Sequence, residues 1–205
     1  AVTGNTRRFG ASFEKIKQVV EPRPGEILFG LNLVVYKGKT IFVGDTSVNE
    51  YPSSEQMAEI AISAARVVRL FGFEPKVAFL SHSTFGKPVS RNTKHVRDAI
   101  ELLKTKKVDF DFDGEMQPDV ALNPIYQEVY PFSKIVGRAN ILIMPALHSA
   151  AISTKLMKTF GGAKLIGPLL IGLGLPIEVA PLRSSTSDIL NLASVAAYSS
   201  DVIDY

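Results

Sequence analysis

Three observations predict a three-layer α/β fold, with a largely parallel sheet between helices on both faces. From residue 53 onward, short apolar runs of strand length alternate with amphipathic stretches, as repeated strand–helix units require. The run Val77-Ala78-Phe79-Leu80 is apolar at every position, as in a strand covered on both sides. Two β-rich runs, residues 27–36 and 40–44, meet at Lys37-Gly38-Lys39 and form a hairpin pattern.

The elements follow in order. Residues 12–20 put Phe13, Ile16, Val19 and Val20 on one helical face and stop before Pro22 and Pro24-Gly25. After the hairpin, Ser53 with Gln56 three places on forms a capping-box pattern. Met57, Ile60, Ala61, Ala64, Val67, Val68 and Phe71 continue that helix until Gly72 closes it. The apolar strand ending at Leu80 leads into a loop over 81–90, a helix over 91–104 and a strand over 108–112. A helical stretch within 118–129, a strand over 140–144 and a helix over 149–160 follow, then strands within 165–180 and a helix over 186–198. Ligands in such folds sit beyond the carboxyl ends of the strands, so chemistry is expected in the loops opening at Ser81, Asp113, Pro145 and Pro181.

Composition narrows the function. The chain has 205 residues, 46% of them hydrophobic, enough for a substantial core. Its formal charge is only +3, and its one basic cluster, Lys104, Lys106 and Lys107, lies at a helix C-terminus where cations offset the dipole, so no nucleic-acid partner is implied. With no cysteine there is no disulfide, thiolate nucleophile or thiolate-bound metal, which fits a reducing cytoplasm. The N-terminus has no signal-peptide core and no initiator Met, so the chain is expected to be a segment of a longer polypeptide. Residues 165–182 are apolar, but Gly167, Pro168, Gly172, Gly174, Pro176, Pro181 and Glu178 interrupt them, which favours buried strands over a membrane helix.

Several motifs bear on chemistry. Asp109-Phe110-Asp111-Phe112-Asp113-Gly114-Glu115 alternates as a half-buried strand does and lacks calcium-loop spacing, so no metal site is expected. At its end Asp113-Gly114-Glu115 can orient a loop or accept backbone donors. Ser81-His82-Ser83-Thr84-Phe85-Gly86-Lys87 offers hydroxyls, a glycine and a lysine to a phosphate or an acyl oxygen, and serves equally as an ordinary loop before a helix. His82, His95 and His148 have no zinc-pairing spacing. Gly172-Leu173-Gly174 lacks the third glycine of a dinucleotide fingerprint.

The ordered set Phe79-Leu80-Ser81-His82-Ser83-Thr84-Phe85-Gly86, Asp113-Gly114-Glu115-Met116-Gln117, Ala139-Asn140-Ile141-Leu142-Ile143-Met144-Pro145, Gly161-Gly162-Ala163 and Ile166-Gly167-Pro168-Leu169 resembles the phosphate acetyl/butyryltransferase family over about residues 6–198. Val2-Thr3-Gly4-Asn5-Thr6-Arg7, Tyr130-Pro131-Phe132 and the stretch from His148 to Lys155 look most like the C-terminal phosphotransacetylase-like domain of bacterial hybrid NADP-dependent malic enzymes. The resemblance implies an isocitrate/isopropylmalate dehydrogenase-like fold, with residues 1–205 forming one domain of a cytoplasmic homo-oligomer. It implies that malate oxidation, NADP and a divalent metal belong to catalytic domains joined in cis. The domain seen here would hold no cofactor and would respond to acetyl-CoA.

Active transferases of that family use an aspartate as base on the CoA thiol and a preceding Ser-Arg pair that polarises the acyl phosphate. Counted from Pro176, the aspartate falls on Asp188, but the Ser-Arg pair falls on Pro181-Leu182, which has neither donor nor charge. A family arginine ten residues before a Pro-Gly falls on Glu14, with Arg7 and Arg8 nearby. No residue is therefore expected to catalyse. Asp188 is a vestigial base, and Ser81, Ser83, Thr84, Arg183, Thr186 and Asp188 are the expected contacts for acetyl-CoA. An active phosphate acetyltransferase is the alternative.

Overall fold

A computed structural model describes residues 1–90 and 93–202. Its centre is a six-stranded sheet in the order β5-β4-β6-β3-β2-β7. The strands are β2 (Phe29–Tyr36), β3 (Lys39–Gly44), β4 (Lys76–Leu80), β5 (Asp111–Met116), β6 (Ile141–Ile143) and β7 (Lys164–Ile171). β2 runs antiparallel to both its neighbours, and the other adjacent pairs are parallel. A separate two-stranded parallel sheet pairs β1 (Val2–Gly4) with β8 (Glu178–Ala180).

Alternation along the strands sorts side chains to two faces. Leu31, Leu33, Phe42, Val77, Phe79, Ile141 and Ile143 pack under α2 (Ser54–Leu70), α3 (Lys94–Thr105) and α6 (Thr186–Val202). Val34, Val43, Ala78, Leu80 and Leu142 face α4 (Pro118–Leu122) and α5 (Leu147–Thr159). Three layers result. Phe29, Phe42 and Phe79 are fully buried, and removing such a side chain from water stabilises the fold by about 1.5–3 kcal/mol. α1 (Phe9–Lys17) closes one end of the sheet with Phe13 and Ile16.

Local chemistry explains the best-defined joints. Ser53 Oγ accepts from Gln56 N at 3.2 Å while Gln56 Oε1 accepts from Ser53 N at 2.9 Å, the expected capping box. The hairpin register Tyr36↔Lys39 leaves Lys37 and Gly38 as a two-residue turn, both with positive φ, the primed turn that matches strand twist.

Some expectations need correction. β1 had no signal in the sequence. The first helix begins at Phe9 and ends at Lys17, leaving Val19 80% exposed rather than on the buried face. The strand placed at 108–112 runs from Asp111 to Met116, so Asp113-Gly114-Glu115 lies inside it, not at its end. The stretch within 118–129 splits into α4 and a 3-10 turn, Pro124–Gln127, because Pro124 cannot donate to a continuing helix. The first two positions of the helix placed at 91–104 lie outside the described residues.

Candidate functional site

β2 carries a single amide, Asn32, between Leu31 and Leu33, and strand alternation sends it to the α5 face of the sheet. Opposite it the ladder with β7 slips: Leu31 pairs with Leu169 and Leu33 with Ile166, so Gly167 and Pro168 form a bulge facing Asn32. Bulges of this kind bend a strand and open space beside it. Gly167 has φ +123°, and a Cβ there would lie 2.6 Å from Asn32 Oδ1, so only glycine fits. Against this bulge lies a cavity of about 470 Å³, walled by α5, α6 and the chain following β8.

A second wall comes from the loop after β3. Asp45, 2% exposed, accepts from the backbone N–H groups of Gly30, Ser47, Val48 and Asn49 at 2.6–3.1 Å. That one carboxylate folds residues 45–49 into a fixed turn and sets Thr46 and Ser47 on the cavity. Thr46 Oγ1 donates to Gly30 O at 3.1 Å.

The third wall is the entry to α6. Pro181 and Leu182 line the cavity at the positions where the family pattern would place a Ser-Arg pair. Arg183 also lines it, at φ +61° and exposed, with its N–H donating to Asn5 O at 3.2 Å. Asp188 lines it too, but its carboxylate is engaged: Ser185 Oγ donates to Oδ2 at 2.8 Å, Ser185 N donates to Oδ2 at 3.0 Å, and Asp188 N donates back to Ser185 Oγ at 3.2 Å. This is a capping box with aspartate in the acidic position. The Ser185 hydroxyl and backbone N–H hold the Asp188 carboxyl below the usual range, and Lys158 and Lys164 add to the effect. Thr186 begins α6 and is exposed, outside the cavity lining.

The loop after β4 is built differently. Opposite Phe79 and Leu80, β5 carries one extra residue, Glu115, between Gly114 and Met116. This bulge aims Glu115 inward at 1% exposure. Its carboxylate accepts from Ser83 Oγ at 2.8 Å, Gly86 N at 3.2 Å and Arg97 Nη1 at 3.1 Å. Thr84 Oγ1 accepts from Gln117 N at 3.2 Å, and Ser81 Oγ lies 3.3 Å from Ser83 Oγ. The expected contacts Ser81, Ser83 and Thr84 are therefore buried, bonded to protein groups and absent from the lining of the cavity that holds Arg183 and Asp188. The Ser83 hydroxyl ties the loop to Glu115 of β5, and the Thr84 hydroxyl ties it to Gln117 just beyond that strand.

Other expected residues lie apart. Glu14 is exposed on α1 and pairs with Lys17 at 2.8 Å, and Arg7 and Arg8 are exposed outside the cavity. His95 Nε2 sits 3.2 Å from Pro145 O, and His148 packs on Tyr51. Among the described residues no group of three or more His, Cys, Asp or Glu side chains is placed to hold a metal ion, and no helix is long and apolar enough to cross a membrane.

Sequence reasoning missed Asn32, Asp45, Lys155, Lys158 and Asn191. Asn32 was signalled by its solitary place in an apolar run. Asp45 follows a strand's carboxyl end, but a strand read only as half of a hairpin hides that β6 pairs on its other side.

Comparisons with known proteins agree with this architecture. Residues 1–197 match the model of the family described as phosphate acetyl/butaryl transferase. An NADP-dependent malic enzyme of Rhizobium meliloti (strain 1021) is 44% identical over 197 residues, covering 96% of this chain and 26% of the relative. A phosphate acetyltransferase of Bacillus subtilis (strain 168) is 33% identical over 197 residues, covering 95% of this chain and 59% of the relative. The chain thus spans about a quarter of the malic enzymes it matches. A crystal structure of a phosphotransacetylase from Streptococcus pyogenes superposes with a TM-score of 0.90 at 30% identity, covering 98% of this chain and 62% of that one.

Proposed function

The chain belongs to the phosphate acetyl/butaryl transferase family, and we propose that it is a member without transferase activity that binds acetyl-CoA and regulates a malic enzyme. In this reading it is a cytoplasmic, oligomer-forming domain. Oxidative decarboxylation of malate to pyruvate, with NADP and a divalent metal, belongs to catalytic domains in cis.

One observation carries the loss of activity: the Asp188 carboxylate is engaged by both the hydroxyl and the backbone N–H of Ser185, in a turn whose neighbours are Pro181 and Leu182. A general base works best with its pKa near the working pH, and this carboxyl is held low. Charge developing on an acyl oxygen would meet a proline and a leucine. Losing one preorganised donor typically costs on the order of 100-fold to 1,000-fold in rate. Binding is a separate matter, because the cavity keeps apolar walls in Leu147, Ala151 and Leu165 and cations in Lys155, Lys158 and Arg183.

Calorimetry with acetyl-CoA tests the sensing half; absence of heat at millimolar ligand would refute it. In the malic enzyme that contains this domain, acetyl-CoA should change NADP-linked turnover of malate, since coupling needs both sites.

The second reading is a working phosphate acetyltransferase. It is favoured by the position of Asp188 on the cavity and by 33% identity to the Bacillus enzyme. Thiol release from acetyl-CoA with phosphate, abolished in Asp188→Asn, would establish it.

A further inference from the structure

The face of the sheet that α4 and α5 cover is left open toward the hairpin turn. α4 has only five residues, and α5 stops at Thr159, just before Gly161 and Gly162. The paired residues Val34 and Ile41 floor a second cavity there, of about 350 Å³, walled by Leu122, Met157 and Ala163. It shares no lining residue with the cavity at Asn32: on α5, Met157 belongs to this one, and Lys155 and Lys158 to the other. Its size falls within the range of small-molecule sites, about 300–1,000 Å³.

Two cations belong to its wall. Phe42 pairs with Ile141 in the parallel ladder of β3 and β6, so counting back three residues along both chains brings Lys39 level with Arg138. Lys39 is exposed and Arg138 half-buried, both line the cavity, and neither forms a salt bridge with a described residue. Neighbouring like charges repel, more strongly where the surroundings are apolar. An anion bound to both would relieve that repulsion.

The rest of the lining selects what is attached to the anion. Among the described residues of this wall there is no acid, and Tyr36 alone carries a hydroxyl. A sugar or a second phosphate would leave polar groups unpaired here, which weakens binding. An aliphatic chain would instead take the apolar side chains of Val34, Ile41, Leu122 and Met157 out of water.

We infer that this cavity is a second ligand site, taking a monocarboxylate with an unbranched aliphatic chain: its carboxylate bound by Lys39 and Arg138, its chain laid on Val34 and Ile41. Arginine suits that head, because its planar fork matches the two carboxylate oxygens. The site is independent of acetyl-CoA, whose proposed cavity is separate.

Calorimetry on the full chain tests it with octanoate, decanoate and decanol, each below its aggregation limit. Decanoate should bind about tenfold more tightly than octanoate, the gain expected from burying two more methylenes. It should also bind about tenfold more tightly than decanol, the gain expected from hydrogen bonds to a charged group. In Lys39→Gln/Arg138→Gln, decanoate should fall to the level of decanol with the melting temperature unchanged. The Met157 methyl resonance should move when decanoate is added, which places the ligand in this cavity. Absence of binding, equal affinity for octanoate and decanoate, equal affinity of the parent and the double variant, or an unmoved Met157 resonance each overturns the inference. So does a chain that sediments as a dimer and is split by Met157→Glu, because a second copy would then fill the cavity.

Discussion

Asp188 and Ser185 exchange three hydrogen bonds at the start of α6, two into the Asp188 carboxylate and one from the Asp188 N–H to the Ser185 hydroxyl, at 2.8–3.2 Å. The residue placed to act as a base is thereby the acidic half of a helix cap. Ser185→Ala should cost about 1 kcal/mol, the usual price of a lost cap, read from denaturant midpoints. Asp188→Ala should be destabilising in the same direction.

Breaking the ion pair under the loop after β4 should be costlier. Glu115 is 1% exposed, and Arg97 is its cationic partner at 3.1 Å. Arg97→Ala leaves a buried carboxylate uncompensated, with an expected loss of about 3 kcal/mol. Adding Glu115→Gln to that variant should restore part of the loss, which urea unfolding of the double variant would show.

The bulge gives a third expectation. Gly167→Ala puts a Cβ 2.6 Å from Asn32 Oδ1 at a φ of +123°, so it should destabilise by about 1–3 kcal/mol. Urea unfolding midpoints of the variant and the parent would show this loss.

A fourth concerns pH. Burial pushes the Glu178 carboxyl up to about 8 from its ordinary 4.5, against the opposing pull of the Leu170 N–H. The folded state therefore holds a proton that the unfolded state has released, so stability is full below about pH 4.5 and falls as pH rises toward 8. Glu178→Gln should remove this slope and be more stable than the parent at pH 8 by on the order of a few kcal/mol. Chemical denaturation of both proteins at pH 5 and pH 8 checks the sign.

Much of the fold was legible because local chemistry and global topology agree. The Ser53–Gln56 cap, the Lys37-Gly38 turn and the run Val77–Leu80 each mean in the structure what they mean in isolation. The site was less legible because bulges reset the phase of two strands. Glu115 belongs by strict alternation with the acids of its run, yet an extra residue in β5 turns it into the core. Asn32 reads as an interruption until the slip at Gly167-Pro168 puts space beside it. Pro181, Leu182 and Asp188, grouped by their spacing in the sequence, line one cavity. Lys155 and Lys158 reach that cavity from α5, an element that spacing within the last segment does not touch.

The most direct measurement is thiol release by this chain with inorganic phosphate, at acetyl-CoA concentrations where calorimetry shows the site saturated. A filled site is expected, with release no faster than in the absence of protein. Sustained release that disappears in Asp188→Asn would contradict it.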